Sequence, residues 1–288
     1  MSPRYGWVLN LDAELELAQP SYNPSARMLS QFEEYGASAR ALLGPDDVMV
    51  RRGMSDAAEL IGRAWCPTPK AIASLQAAGV KPEPYPPVEV LRRVNHRRFA
   101  FELGGGLPNQ HYVEERRALE AILVRGGAWQ LKRPLSFAGR GQLRVFRALS
   151  VEELAWIDAS FRNDGLIVEP LVTPTLELSQ HGFIWPNGKH EIGRPCVQEV
   201  SDRGVFRGVR LAAPEELTSS ERNALEETTE RVALALISAG YFGPFGIDAH
   251  RYELGEQSAF CALSEINARY TMGFATGFPR PAREISLE

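Results

Sequence analysis

Alternating and helical patterns of apolar residues divide the chain into three parts. In the first part, residues 1–87, apolar runs at 5–11 and 47–51 predict strands, and residues 70–78 predict a helix. Four prolines between residues 81 and 88 mark its end, because proline interrupts both helices and sheets. The first part is therefore predicted to be a small α/β unit.

The second part, residues 88–165, combines helical patterns with a strand pair. Residues 88–103 and 112–124 predict helices. Residues 128–132 and 142–148 predict strands on either side of a glycine-containing loop. This strand–loop–strand order differs from the strand–loop–helix order of a phosphate loop or a dinucleotide-binding fold. We therefore expect a small lobe that carries a β-hairpin.

The third part, residues 166–288, is rich in strands. Asn187-Gly188 between apolar runs at 176–185 and 191–200 indicates a hairpin, because both turn residues need positive φ angles. The other predicted elements are a short strand at 166–168, a helix at 221–238 and strands at 243–251 and 259–266. An antiparallel sheet is expected here, and the fold class is predicted to be α+β.

Composition excludes several classes of protein. The 288 residues are 44% apolar and 24% charged, which is ordinary for a globular chain, and the net charge of -4 indicates no nucleic-acid surface. No apolar run reaches the roughly 20 residues of a membrane span. The three cysteines are far apart in sequence, and the N-terminus lacks the pattern of a signal peptide. A cytoplasmic protein that contacts neither membranes nor nucleic acids is expected.

The most informative polar residues lie on the last two predicted strands. Glu265 and Asn267 are two residues apart, so both point to the same face of a strand. Antiparallel pairing brings Asp248 of the preceding strand beside Glu265. Carboxylate and amide oxygens suit Mg²⁺, and Arg269 extends the row towards an anion. The alternative interpretation is that these residues form the solvated face of an edge strand.

An acidic residue followed by Glu-x-Asn-x-Arg, here Asp248 and then Glu265 to Arg269, resembles the magnesium motif of the ATP-grasp superfamily. Further family motifs match upstream in the expected order, so that the resemblance covers about residues 88–273. They are a phosphate-binding Lys (Lys132), a flexible glycine loop (Ser136-Phe137-Ala138-Gly139-Arg140-Gly141), an adenine-binding hinge (Glu169-Pro170-Leu171) and a ribose-binding acid (Glu177). Four weak motifs in one order are together a specific signal.

The resemblance implies an ATP-grasp fold with MgATP bound between the second and third lobes. The N-terminal α/β lobe is expected at 1–87, the middle lobe at 88–165 and the C-terminal antiparallel-sheet lobe at 166–288. The implied phosphate-binding residues are Lys132, Ser136, Ala138, Gly139 and Gly141, with Arg98 in the place of an earlier family Lys. Glu169, Pro170 and Leu171 are implied to contact adenine and Glu177 ribose, while Asp248, Glu265 and Asn267 hold Mg²⁺.

Each of these positions also has a purely structural interpretation. The loop at 135–141 is alternatively a simple hairpin turn beside a solvated Lys132. Glu169 is alternatively a surface residue before a turn, and Glu177 an exposed strand residue. Gln198 and Arg210 are further candidates for substrate contacts, and His250 is expected to support the site from outside it.

The resemblance implies ATP-dependent ligation of a small-molecule carboxylate to an amine or a thiol through an acyl-phosphate, with Arg269 and Lys132 as catalytic residues. Two alternatives stay open. The first is an ATP-grasp kinase that phosphorylates a small molecule. The second is a nucleotide-binding regulatory protein with degenerate catalysis, which the Arg at the first Lys position and the short segment after Arg269 favour. That short segment also leaves open a homodimer in which a second subunit completes the site.

Overall fold

A parallel sheet forms the N-terminal part of the protein. The structure is a computed structural model that describes residues 3–26, 28–30, 36, 39–50, 54, 59–137, 140–200, 206–254, 257–278, 285 and 287. The sheet has the order β2-β1-β3-β4 and consists of β1 (Tyr5–Val8), β2 (Val48–Met49), β3 (Ile61–Ala64) and β4 (Lys81–Pro82). Helices α1 (Ala13–Ala18) and α2 (Pro69–Ala77) follow β1 and β3, and a short 3-10 helix spans Arg40–Leu42. This is the α/β unit that the sequence predicts.

Two short helices, α3 (Val88–Asn95) and α4 (Arg97–Glu102), replace the single helix that the sequence predicts at 88–103. The break lies at His96, whose backbone is extended (φ -76°, ψ 126°). The His96 ring accepts a hydrogen bond of 3.2 Å from the backbone N–H of Arg98, which caps α4. Because of this break, the Arg97 side chain points in a different direction from the one it would have in a continuous helix.

An antiparallel sheet of order β5-β8-β6-β7 forms the middle part. Its elements are β5 (His111–Val113), α5 (Arg116–Leu123), β6 (Trp129–Lys132), β7 (Gln142–Val145), α6 (Val151–Phe161) and β8 (Leu166–Pro170). The predicted hairpin of β6 and β7 is confirmed by their antiparallel pairing. The predicted helix at 112–124 is wrong at its start, because residues 111–113 pair with β8 and the helix begins only at Arg116.

A six-stranded antiparallel sheet dominates the C-terminal part, with the order β12-β11-β9-β13-β14 and β10 paired to β9. The strands are β9 (Pro174–Ile184), β10 (His190–Ile192), β11 (Cys196–Val200), β12 (Phe206–Leu211), β13 (Gly243–Leu254) and β14 (Gln257–Asn267). The helices are a 3-10 turn (Pro214–Glu216), α7 (Ser219–Ser238) and α8 (Phe274–Gly277). The single strand predicted at 191–200 is instead two strands, interrupted before Pro195, which lacks a backbone N–H for pairing.

Two groups of elements pack with a different part of the protein from the lobe to which the prediction assigned them. Strand β8 pairs within the middle sheet, whereas the prediction assigned it to the C-terminal lobe. Helices α3 and α4, assigned to the middle lobe, pack against β14 of the C-terminal sheet. Asn95 at the end of α3 fixes this contact, because its Oδ1 accepts a 2.8 Å hydrogen bond from the backbone N–H of Ala268. The lobe limits themselves stay a prediction.

The hydrophobic cores do not follow the division of the chain into three sheets. One hydrophobic core joins the N-terminal and C-terminal parts and includes Trp7, Leu91 and Phe245. The middle part has a core of its own, which includes Leu131 and Leu166. The N-terminal and C-terminal parts therefore form a common base, and the middle part is a separately packed unit beside it. Among the described residues, no helix is both long enough and apolar enough to cross a membrane.

Leu236 and Leu234 on α7 provide a matched test of the common core. Leu236 is 0% exposed, whereas Leu234 is 55% exposed. We expect Leu236→Ala to lower the free energy of unfolding by about 2–5 kcal/mol, because the deleted atoms leave a cavity. Leu234→Ala should change it by less than about 0.5 kcal/mol. Urea unfolding followed by circular dichroism measures both values, and equal effects would contradict the assigned helix face.

Candidate active site

Two carboxylates face each other across neighbouring strands of the C-terminal sheet. Asp248 of β13 is directly opposite Glu265 of β14. Asp248 Oδ1 accepts a 2.8 Å hydrogen bond from Gln198 Nε2, and its Oδ2 accepts one of 2.9 Å from Asn267 Nδ2. Burial and the nearby negative charge of Glu265 raise the pKa of Asp248 to about 7. The pair therefore forms a site at which a cation is favoured.

Arg97 supplies a cation at this site. Its Nη2 donates to Glu265 Oε1 at 2.8 Å and to Oε2 at 3.0 Å. Its Nη1 donates to the backbone oxygen of Arg133 at 2.6 Å and to Ser136 Oγ at 2.7 Å. The Arg97 side chain is only 9% exposed. One buried guanidinium thus joins the carboxylate pair to the first residues of the glycine loop.

Arg98, the residue assigned to the phosphates, lies elsewhere. Its Nε donates to Glu102 Oε1 at 2.7 Å, and its guanidinium lies 4.9 Å from the centre of the Tyr112 ring. Neighbouring residues of a helix point about 100° apart, so Arg97 and Arg98 cannot both face the carboxylates. The role predicted for Arg98 stays a prediction, and the geometry favours Arg97 instead.

The predicted phosphate lysine and hinge glutamate form an ion pair. Lys132 Nζ lies 2.5 Å from Glu169 Oε1, and both side chains are mostly buried. Antiparallel pairing of β6 with β8 brings these two residues to the same place. Pro170 ends β8, and the backbone N–H of Leu171 donates to the backbone oxygen of Ala128 at 2.9 Å. The structure thus brings Lys132 and Glu169 together, while the Leu171 amide is used within the protein.

Glu177 of β9 lies opposite His250 of β13. Burial raises the pKa of the Glu177 carboxyl. Burial and the nearby charge of Lys132 lower the pKa of His250 to about 4, so this imidazole is neutral at pH 7. Its Nε2 is buried and has no hydrogen-bond partner among the described residues. Glu177, His250 and Lys132 therefore surround one region beside the carboxylate pair.

The glycine loop begins at the Arg97 contact. Ser136 is buried, and Gly141 adopts a φ of +74°, which disfavours any residue with a side chain. A Cβ atom on Gly141 would also lie 2.9 Å from the Cβ of Ser136. Ala138 and Gly139, which the resemblance assigns to the phosphates, lie outside the described residues.

Arg269 connects the carboxylate pair to the N-terminal part. Its Nη2 donates to Asn267 Oδ1 at 2.8 Å, and its Nε forms an ion pair with Glu14. Its guanidinium carbon lies 5.6 Å from the centre of the Trp65 ring. The sequence prediction missed Glu14, although acids at 12, 14 and 16 directly follow β1 at the carboxyl edge of a parallel sheet, where ligands commonly bind.

The predicted residues thus form two adjoining groups. The first contains Asp248, Glu265, Asn267, Arg269 and the candidate Gln198, with Arg97 added by the structure. The second contains Lys132, Glu169 and Glu177. Arg210 belongs to neither, because its guanidinium pairs with Glu216 on the surface. No group of three or more His, Cys, Asp or Glu side chains in the described part of the chain is arranged for a metal ion. The oxygen atoms at the site that could act as metal ligands belong to the carboxylates of Asp248 and Glu265 and to the amide of Asn267. Hard oxygen ligands of this kind fit Mg²⁺ better than a softer metal.

Substitution of the adjacent Arg97 and Arg98 tests which of the two belongs to the site. Arg97→Ala should lower the free energy of unfolding by roughly 3 kcal/mol, because it leaves the half-buried Glu265 and two loop oxygens without their donor. Arg98→Ala should lower it much less, because its ion pair with Glu102 is exposed and screened by solvent. Chemical unfolding of the two variants measures the difference. A larger loss in Arg98→Ala would contradict the geometry.

Comparisons with known proteins gave structural matches only. No protein-family model matches the sequence, and no curated protein matches it. N5-carboxyaminoimidazole ribonucleotide synthetase from Thermus thermophilus superposes with a TM-score of 0.53 and 21% identity, over 92% of this chain and 71% of that one. D-alanyl-alanine synthetase A from Vibrio cholerae gives a TM-score of 0.56 and 16% identity, over 99% and 94%. Biotin carboxylase from Campylobacter jejuni, solved as an ATP complex, gives 0.57 and 14%, over 97% and 72%.

These structures are ATP-grasp enzymes, and their similarity extends over nearly the whole of this chain. The predicted α+β class agrees with the parallel N-terminal sheet and the two antiparallel sheets. At identities of 10–21% among the first matches, the similarity establishes the fold and leaves the reaction to be argued from the site. The protein has the ATP-grasp fold.

Proposed function

We propose that this protein is an ATP-dependent ligase that joins a small-molecule carboxylate to an amine or a thiol through an acyl-phosphate. The observation that carries the proposal is the Asp248–Glu265 pair on neighbouring strands, with an arginine on either side. The proposal assigns the two carboxylates to a metal ion that would neutralise the phosphates, and the arginines to the phosphates and the reacting carboxylate.

The second group of residues supports a nucleotide site. Lys132 and Glu169 already lie together, and Glu177 lies opposite His250, whose pKa is lowered by burial and by the charge of Lys132. We assign Lys132 to the phosphates, Glu169 with Pro170 and Leu171 to the adenine edge, and Glu177 to the ribose hydroxyls. Lys132 is a mobile point charge that can exchange its carboxylate partner for a phosphate.

Asp248, Glu265 and Asn267 would hold Mg²⁺. Burial and the nearby negative charge of Glu265 raise the pKa of Asp248, and a bound cation would favour the charged form of this carboxyl. When bound, Mg²⁺ would neutralise negative charge on the phosphates. Arg97 already donates a hydrogen bond to the Glu265 carboxylate, so one of the positive charges at this site comes from the protein itself.

The proposed reaction needs no nucleophile from the protein. An oxygen of the substrate carboxylate attacks the γ-phosphorus, the bond from that phosphorus to the ADP oxygen breaks, and ADP leaves. The amine nitrogen then attacks the carbonyl carbon, phosphate leaves with the carbon–oxygen bond electrons, and the nitrogen loses a proton. Arg269 orients the carboxylate and stabilises the charge that develops. The three cysteines are buried, and burial raises the pKa of each thiol, which leaves them poor nucleophiles.

A nucleotide-binding protein without catalysis is the second candidate. It is favoured by one specific observation: Arg97 engages both oxygens of Glu265. If this pair persists with nucleotide bound, Glu265 has fewer lone pairs for a metal ion. ATP binding without turnover distinguishes this candidate from the ligase.

Turnover of MgATP with pooled amino acids and small organic acids tests the proposal. We expect ADP and free phosphate in equal amounts. Glu265→Gln should lower kcat at least about 100-fold, because one charged group of the phosphoryl-transfer site is lost. Lys132→Ala should weaken ATP binding about tenfold, because a charge-assisted contact to phosphate is removed. Coupled ADP and phosphate assays and calorimetric titration with ATP measure these effects.

Exposed residues provide matched controls for these two variants. Glu226→Gln and Lys189→Ala make the same chemical changes on the surface and should leave turnover and ATP affinity unchanged. ADP without phosphate would indicate a kinase instead of a ligase. Absence of MgATP binding would overturn every nucleotide-based proposal for this chain.

A further inference from the structure

A small cavity lies between the N-terminal and C-terminal parts, beside Arg269. Its walls come from residues that follow the ends of β3 and β4 and from residues at 241–244 and 269–270. Because β3 and β4 are parallel, both end at the carboxyl edge of the sheet, where ligands commonly bind. The cavity therefore lies at a ligand-binding edge and shares Arg269 with the candidate active site.

Trp65 contributes an unused donor to the wall of this cavity. The residue is 3% exposed, and its indole N–H is buried without an acceptor among the described residues. Its ring centre lies 5.6 Å from the guanidinium carbon of Arg269. A buried donor without an acceptor is costly, so it commonly marks the place of a ligand oxygen or of an ordered water molecule.

Arg269 supplies the positive charge of the cavity. A guanidinium has more N–H groups than the three acceptors that these groups reach, which are Glu14, Asn267 and the backbone oxygen of Tyr270. Glu83 is the other charged residue of the described wall, and Arg63 offsets its charge, since Arg63 Nε lies 2.9 Å from Glu83 Oε2. The donors of Trp65 and Arg269 therefore favour a ligand that carries a carboxylate.

Most of the remaining wall is apolar and rigid. The rings of Tyr85, Phe242 and Tyr270 line it, together with prolines at positions 67, 84, 86 and 244. Proline fixes its own backbone φ angle, and a buried aromatic ring has few positions open to it. The cavity is therefore expected to keep its size when a ligand binds.

The volume of the cavity limits which group can enter it. It measures about 30 Å³. One water molecule needs about 10–15 Å³, and an engineered cavity that binds benzene measures about 150 Å³. The space therefore holds a methyl or an ethyl group, whereas a ring or a long alkyl chain does not fit.

We propose that this cavity binds the short apolar group of the carboxylate substrate and excludes larger acids. The substrate carboxylate accepts hydrogen bonds from the Trp65 indole N–H and from Arg269, and its methyl or ethyl group lies among the aromatic rings. This inference rests on the proposed function, since it names the acid that the same ligase activates. The substrate class is accordingly a short-chain carboxylic acid.

Saturation-transfer NMR on the full chain tests the proposal with acetate, propionate, hexanoate and benzoate as probes. Each acid is measured with and without a non-hydrolysable ATP analogue. We expect propionate or acetate to bind, and hexanoate and benzoate to bind at least about tenfold more weakly, because their apolar groups exceed the cavity. Propionamide should also bind about tenfold more weakly than propionate, because it lacks the negative charge.

Variants change the cavity in opposite directions. Ala64→Val narrows it and should weaken propionate binding about tenfold, whereas Phe242→Ala widens it and should raise hexanoate affinity relative to propionate about tenfold. Trp65→Phe keeps a ring but removes the N–H, and should weaken propionate binding about tenfold. Ala148→Val and Phe146→Ala make the same changes at exposed positions and should have no effect.

The outcomes separate this inference from the proposed function. Equal or tighter binding of hexanoate and benzoate in the wild-type protein would overturn the cavity as the acid site, and so would an absence of acid binding in both conditions. Unchanged selectivity in folded Ala64→Val or folded Phe242→Ala would do the same, and circular dichroism shows which variants are folded. Loss of ATP-analogue binding in the wild-type protein would instead contradict the proposed function, while size-dependent acid binding without the analogue would still support this cavity.

Discussion

The hydrogen bonds of Arg97 hold the site together. One guanidinium, almost fully buried, binds Glu265 of the C-terminal sheet and two oxygens at the beginning of the glycine loop. The backbone N–H of Arg97 also donates to Pro134, at 3.0 Å. Since the middle part has its own hydrophobic core, these polar contacts are a main connection between that part and the common base. A charge buried in this way is stable only while its partners stay in place.

A second chain of contacts crosses the site from the other side. Gln198, Asp248, Asn267, Arg269 and Glu14 form a continuous series of hydrogen bonds and one ion pair, which runs from the C-terminal sheet to the N-terminal part. Each side chain fixes the orientation of the next, so the carboxylate pair is held in a defined geometry before any ligand binds. Preorganised charges of this kind are the largest contribution to catalysis in many enzymes.

The sequence predicted the parts of this site that depend on strand geometry. Asp248 lies opposite Glu265 because antiparallel strands alternate with a period of two residues, and this period is visible in the sequence. The prediction named Arg98, whereas the geometry favours Arg97, because the direction of both side chains depends on a helix break at His96 that the sequence did not predict. It also missed Glu14, whose place at the site depends on its ion pair with Arg269, a residue that lies 255 positions further along the chain. The Lys132–Glu169 ion pair was not predicted either, because it depends on the pairing of β6 with β8, and the prediction assigned β8 to the C-terminal lobe.

The ion pairs of this structure also constrain how the proposed nucleotide would bind. Lys132 is paired with Glu169, and Arg97 with Glu265, so each candidate phosphate-binding cation already has a carboxylate partner. A phosphate must therefore replace or share those partners, and the free energy of each broken contact is subtracted from the affinity for the nucleotide. At the proposed metal site, a divalent ion held by Asp248 and Glu265 would offset the loss of the Arg97 contact. Nucleotide and metal ion are consequently expected to bind cooperatively. Each would lower the free-energy cost of breaking the ion pairs that the other has to displace.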